Sequence, residues 1–151
     1  MSQTLHGHCY CGGVTFTVQA SDSAPPVFTA YCHCDSCRRA HAAPLYQVVG
    51  VRADQHTITA GADLIRDFQR PGKSIVRSFC TVCGSRIYNR LSHLPPERAM
   101  IIFFPDLLDE AQRKNLPASF LPRHNNAAGE CVLEAELLRE VLSHSATSTD
   151  Q

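Results

Sequence analysis

Through the first hundred residues, apolar positions recur at every second residue in short runs, the period of strands with one buried face. Residues 14–19 (VTFTVQ) show it most cleanly: valine and phenylalanine alternate with threonine and glutamine, and the β-branched side chains suit a pleated backbone. The Gly12-Gly13 pair just before this run fits a tight turn. Further strands are expected at 27–31, 45–51 (LYQVVGV), 56–60, 64–69, 74–79, 86–90 and 99–104 (AMIIFF), the last of them deeply buried. Gly61 and Pro71-Gly72 punctuate them.

After Pro105 the pattern changes. Residues 106–115 read as a short helix, and 116–129 as a loop with two prolines and polar turn residues. In 130–142 (ECVLEAELLREVL), Leu133, Leu137 and Val141 share one helical face, with Leu138 and Leu142 beside them. This stretch is expected to be an amphipathic helix packed on the domain; a homodimer contact is its alternative use. Residues 1–142 then form a single domain and 143–151 a disordered polar tail.

Composition narrows the function. A chain of 151 residues with 44% hydrophobic side chains is long enough to bury a real core. Fourteen basic and fourteen acidic side chains cancel, so no nucleic acid is expected as a partner. No apolar run reaches the roughly 18–20 residues of a membrane span. The start, MSQTLHGHCYCGG, has neither the basic nor the apolar region of a signal peptide. A cytoplasmic protein is expected, in which thiols stay reduced. Eight cysteines there point to metal or redox chemistry before disulfides.

Seven of the eight fall into three clusters: Cys9-Tyr-Cys11, Cys32-His-Cys34-Asp-Ser-Cys37 and Cys80-Thr-Val-Cys83. Residues i and i+2 of a strand point to one face, so Cys-x-Cys can grip one ion; Cys-x-x-Cys does so in a turn, eased by the following Gly84. Zinc favours four thiolates in closed structural sites, and two pairs supply them: Cys9, Cys11, Cys80 and Cys83. Cys32, Cys34 and Cys37 remain as a trio. Three protein ligands with one open position is the arrangement of catalytic zinc. The alternative is a second closed site, completed by Cys131, His33, His41 or His124, or a site that takes one early cysteine. Cys131 otherwise reads as a buried small hydrophobe. Two zinc ions against seven thiolates would leave the loaded protein about three charges acidic.

At these residues the chain resembles the glutathione-dependent formaldehyde-activating enzyme family, related to the centromere protein V group. The resemblance rests on Cys9-Tyr10-Cys11-Gly12, Cys32-His33-Cys34-Asp35-Ser36-Cys37 and Cys80-Thr81-Val82-Cys83-Gly84, and it covers residues 5–105. The segments CRRAHAAPLYQVVGV and SFCTVCGSRIYNR look like family members too, whereas the stretch after Pro105 departs from the family's usual ending. The resemblance implies a mainly β, Mss4-like zinc-binding sandwich of short antiparallel strands. It also implies a structural zinc on Cys9, Cys11, Cys80 and Cys83 and a catalytic zinc on Cys32, Cys34 and Cys37. The implied activity is that of a carbon–sulfur lyase run in reverse, adding the glutathione thiol to formaldehyde.

A thiol bound at the trio's open position would lose its proton near neutral pH and attack an aldehyde. Glutathione carries two carboxylates, so its pocket should hold cations. Arg38 and Arg39 follow the trio directly and Arg86 follows the last pair; His41 is a candidate for proton transfer. Two other classes fit the same sequence: a zinc-stabilised binding or scaffold protein without activity, and a redox or metal-buffering protein whose trio forms a labile disulfide.

Overall fold

The computed structural model describes residues 2–133. Alternation of apolar side chains builds the strands as expected. In β2 (Thr15–Ser21), Phe16, Val18 and Ala20 are buried while their neighbours are not. β2 is the centre of a three-stranded antiparallel sheet, between β1 (Ser2–His8) and β5 (His56–Ala60). The second sheet has seven strands in the order β10-β3-β4-β9-β8-β7-β6. Its members are β3 (Phe28–Cys32), β4 (Tyr46–Arg52), β6 (Ile65–Gln69), β7 (Ile75–Cys80), β8 (Arg86–Leu91), β9 (Met100–Phe103) and β10 (His124–Asn126). All its pairings are antiparallel except that of β10 with β3.

The two sheets enclose the main core. Leu5, Phe16 and Val18 of the small sheet cluster with Val49, Val51, Ile87 and Phe103 of the large one, and Phe120 fills the gap from a later turn. The large sheet is covered on both faces in its middle. Val48, Ile102 and Phe104 form a second cluster with Ala30, Cys32 and Cys37. Burial on both faces explains why β4 and β9 read as near-continuous apolar runs rather than clean alternations.

Four features depart from the expectation. β1 is a full strand, yet it carries one large buried side chain, Leu5, too few to show a period. Its Gly7 lies against Phe16, and a Cβ there would come within 2.4 Å of the ring. A helix, α1 (Asp35–His41), follows the trio's second cysteine. The helix expected at 106–115 shortens to a 3₁₀ turn, Pro105–Leu107, and α2 (Glu110–Lys114). The loop at 116–129 contains β10, three exposed polar residues paired with β3, which no hydrophobic pattern could announce. The helix expected at 130–142 lies, beyond residue 133, outside the described residues, as does the tail at 143–151. Glu130 ends a 3₁₀ turn, Ala128–Glu130. Among the described residues no helix is long and apolar enough to cross a membrane.

Candidate metal centres

Two turns converge on the first centre. Cys9 follows β1 and Cys80 ends β7, both fully buried against the main core. In each turn the glycine after the second cysteine donates its N–H to the carbonyl of the first: Gly12 to Cys9 at 2.9 Å, Gly84 to Cys80 at 2.8 Å. Both glycines have φ of +75°, with nothing within 4 Å of where a Cβ would stand. The left-handed backbone, not crowding, therefore calls for glycine. The Val14 amide also points at Cys9 Sγ, 3.2 Å away.

The sulfurs of Cys9, Cys11, Cys80 and Cys83 all lie within 4.8 Å of one another. Cys9 and Cys11 are 3.4 Å apart, Cys11 and Cys80 3.9 Å. Zinc–sulfur bonds of about 2.3 Å in a tetrahedron place sulfurs about 3.8 Å apart, so the quartet fits a zinc ion. All eight cysteines are free thiols, which removes disulfides as the reason for the clustering.

The second centre is local in sequence. Cys32 closes β3, Cys34 is the N-cap of α1 and accepts from the Cys37 amide at 3.4 Å, and Cys37 sits one turn on. The three sulfurs also lie within 4.8 Å of one another, with Cys32 and Cys34 at 3.7 Å. Among the described residues no fourth cysteine, histidine or carboxylate joins them. His33 turns its Nε2 to Asn125 Oδ1 at 3.0 Å, His41 stacks on Tyr46, and His124 is exposed in β10. Cys131 is exposed, its thiol directed at the Leu133 carbonyl, and is not the buried hydrophobe expected.

Remote elements supply the surroundings of the trio. Arg77 of β7 is 7% exposed, and its guanidinium donates to Ser36 Oγ at 3.4 Å and to Cys37 Sγ at 3.7 Å. Among the described residues no carboxylate forms an ion pair with it, and the acceptors it reaches are the Ser36 hydroxyl and the Cys37 sulfur. Asn126 of β10 donates to Cys32 Sγ at 3.4 Å. Sequence reasoning missed both. Arg77 had left a signal, as a charge sharing one strand face with Ile75 and Phe79. Asn126 had left none.

The protons of the trio are shared unequally. The Cys32 thiol, hydrogen-bonded to Cys37 and buried, is pushed up to about 12. Cys37 is drawn down to about 7 by that bond from Cys32, with Tyr46 and Arg77 helping against the opposing effect of burial. Tyr46, buried and bonded to Cys37, is held above the usual phenol range.

An open cleft of about 600 Å³ borders the first centre at Cys83 and Ser85. His41, Tyr46, Arg86, Phe104 and Asp106 are among its other walls; the trio lies behind Tyr46, which bonds Cys37, and no trio cysteine lines the cleft. His41 stacks on Tyr46 at 4.0 Å and meets the edge of Phe104 at 4.8 Å; its Nε2 is buried with no partner. Burial, with Arg77 and Arg86 nearby, lowers it to about 4, so it is neutral at pH 7. Arg86 bonds the Ala40 carbonyl at 3.1 Å and lies over Phe79. Arg38 and Arg39 do not line this cleft. Both reach back to Asp35, at 3.7 and 3.0 Å, and Arg38 also donates to the His33 carbonyl.

A family model described as glutathione-dependent formaldehyde-activating enzyme matches residues 4–120. The chain belongs to that family. The match runs past Pro105, so the stretch that departs from the family's usual ending begins later than the motifs alone suggested. A crystal structure of a Rhodobacter sphaeroides protein is similar in fold, with a TM-score of 0.56 at 19% identity over 78% of this chain and 97% of that one. A comparison with curated proteins finds no match. Membership in the formaldehyde-activating family agrees with the mainly β architecture and with the two cysteine clusters suited to zinc.

Proposed function

We propose that this protein joins a small thiol, glutathione by family membership, to formaldehyde or a similar aldehyde, in a cytoplasmic carbon–sulfur lyase reaction run toward synthesis. Two zinc ions per chain are assigned: a structural one on Cys9, Cys11, Cys80 and Cys83, and a catalytic one on Cys32, Cys34 and Cys37. The observation that carries this reading is the asymmetry between the centres: four sulfurs gather at one, three at the other with no fourth protein donor among the described residues.

A zinc ion held by three thiolates supplies a Lewis-acid position that lowers the pKa of a thiol. The chain's own residues do the rest. Arg77 offsets the negative charge of the trio, and Asn126 holds Cys32 in place by the bond to its sulfur. Addition forms one carbon–sulfur bond; the thiol gives up its proton and the carbonyl oxygen takes one. Neutral His41, with an unpartnered Nε2 in the cleft wall, is placed to carry that proton, and Tyr46 lies between it and Cys37. The Arg86 guanidinium gives the cleft a cation for a carboxylate or a developing alkoxide. Arg38 and Arg39 lie outside the cleft lining and pair with Asp35 on α1.

The test is Cys34→Ser in freshly purified protein. Serine keeps the N-cap, so the variant should fold, hold one zinc instead of two, and lose at least about 100-fold of its formaldehyde-dependent consumption of glutathione thiol. A variant that retains activity with one zinc sinks the catalytic assignment. Wild-type protein with two zinc ions and no turnover of any thiol–aldehyde pair would leave a zinc-stabilised binding protein.

A further inference from the structure

A second, smaller cavity of about 200 Å³ is lined by Ser36, Arg70, Lys73, Ser74, Ile75 and Arg77. Its chemistry is one-sided. Three of the six residues are cations and none is acidic. Among the described residues the Arg70 and Lys73 side chains make no ion pair; the turn they flank is held by backbone, through the Lys73 amide to the Arg70 carbonyl at 3.1 Å. Asp67, the nearest acid along the chain, is bound to Arg90 and Ser78 instead.

Arg77 makes the cavity more than a patch of surface charge. It is 7% exposed, one terminal nitrogen reaches Ser36 and Cys37, and the other, Nη1, is buried with no partner among the described residues. A buried guanidinium with an unused donor is costly unless an acceptor arrives. The same side chain therefore touches a trio sulfur and borders a cavity rimmed by two free cations.

From this juxtaposition we infer that the cavity of Ser36, Arg70, Lys73 and Arg77 is an anion subsite, and that it takes a carboxylate of the thiol substrate. The inference deepens the proposed function and rests on it for the identity of the ligand. It places recognition of that carboxylate at the turn between β6 and β7, with Ser36 and Arg77 beside it. A carboxylate there receives donors from Arg77 and Ser36 and long-range attraction from Arg70 and Lys73.

The test separates binding from turnover by using S-methylglutathione, which keeps both carboxylates but has no thiol to offer a metal. Isothermal titration into zinc-loaded protein should give measurable binding that weakens with added salt. An R70A/K73A double variant should keep two zinc ions and the wild-type melting temperature, because neither side chain supports the fold, yet bind about tenfold more weakly. Lys73→Glu, which replaces attraction by repulsion, should weaken it further. Glutathione diethyl ester should bind wild type and variants alike. Equal affinity of wild type and double variant for S-methylglutathione overturns the subsite, as does absence of binding to wild type. Inorganic phosphate that competes as strongly as the carboxylate ligand would also overturn the assignment to a carboxylate. None of these outcomes depends on whether the protein turns over formaldehyde, so the subsite and the reaction stand or fall separately.

Discussion

The quartet takes its sulfurs from two turns, with Cys11 and Cys80 standing 69 positions apart, and the donors around it are chiefly backbone N–H groups in tight loops. The trio takes its sulfurs from one turn and one strand end, but side chains from distant elements surround it: Arg77 of β7, Asn126 of β10 and Tyr46 of β4. Where ligands are remote in sequence, binding a metal closes a long loop and ties the small sheet's leading strand to the large sheet. Where ligands are local, the metal closes almost nothing, and the fold instead builds the environment. The first arrangement suits stability and the second chemistry.

Removing one ligand from each centre should expose that difference most strongly. A four-thiolate zinc contributes roughly 10–16 kcal/mol in small domains, comparable to or above a total stability of about 5–15 kcal/mol. Cys80→Ser should therefore yield protein that is unfolded at 25 °C by circular dichroism, and a strong chelator should unfold the wild type. Cys34→Ser should retain the native spectrum. Equal melting temperatures for the two variants would break the distinction between a structural and a working centre.

The environment of the trio gives the next effect. Arg77→Met removes the buried cation while keeping an unbranched apolar stem, leaving negative charge in a dry site uncompensated. Zinc affinity at the trio should fall about 10- to 100-fold, read by competition with a chromophoric chelator, and the quartet should be unaffected. Arg77→Lys should recover part of the loss. A drop at both centres together would mean that Arg77 supports the fold as a whole rather than the trio.

The two centres also differed in how much of them the chain disclosed. The two cysteine clusters were legible as spacing, because Cys-x-Cys and Cys-x-x-Cys are local geometry, and the strands with one buried face were legible as alternation, as in Phe16, Val18 and Ala20. The surroundings of the trio were not. Arg38 and Arg39 are its neighbours in sequence, yet both pair with Asp35 one turn back. Arg77 and Asn126 are its neighbours only through sheet order, which places β10 beside β3 and carries β7 past α1. Sheet order depends on pairings that a single sequence does not encode locally, and β10, a strand without an apolar residue, has no pattern to read.

The smallest effect concerns the glycines that shape the quartet's turns. Gly84 stands at φ +75° with open space where a Cβ would go, so Gly84→Ala creates no clash and adds only the strain of a left-handed alanine, about 1–2 kcal/mol. For a domain of this size that should lower the melting temperature by a few degrees. Gly12→Ala should cost about as much, since its φ and its freedom from contacts are the same. Because the strain sits in the folded backbone, the penalty should appear in the zinc-bound protein while activity per bound zinc at the trio stays unchanged. Gly7→Ala provides the contrast: its Cβ would press on Phe16 in the core, so its loss should exceed both. Should either turn glycine prove as damaging as Gly7, the turns would be doing more than accommodating a left-handed residue, and the quartet would depend on a geometry finer than four converging sulfurs.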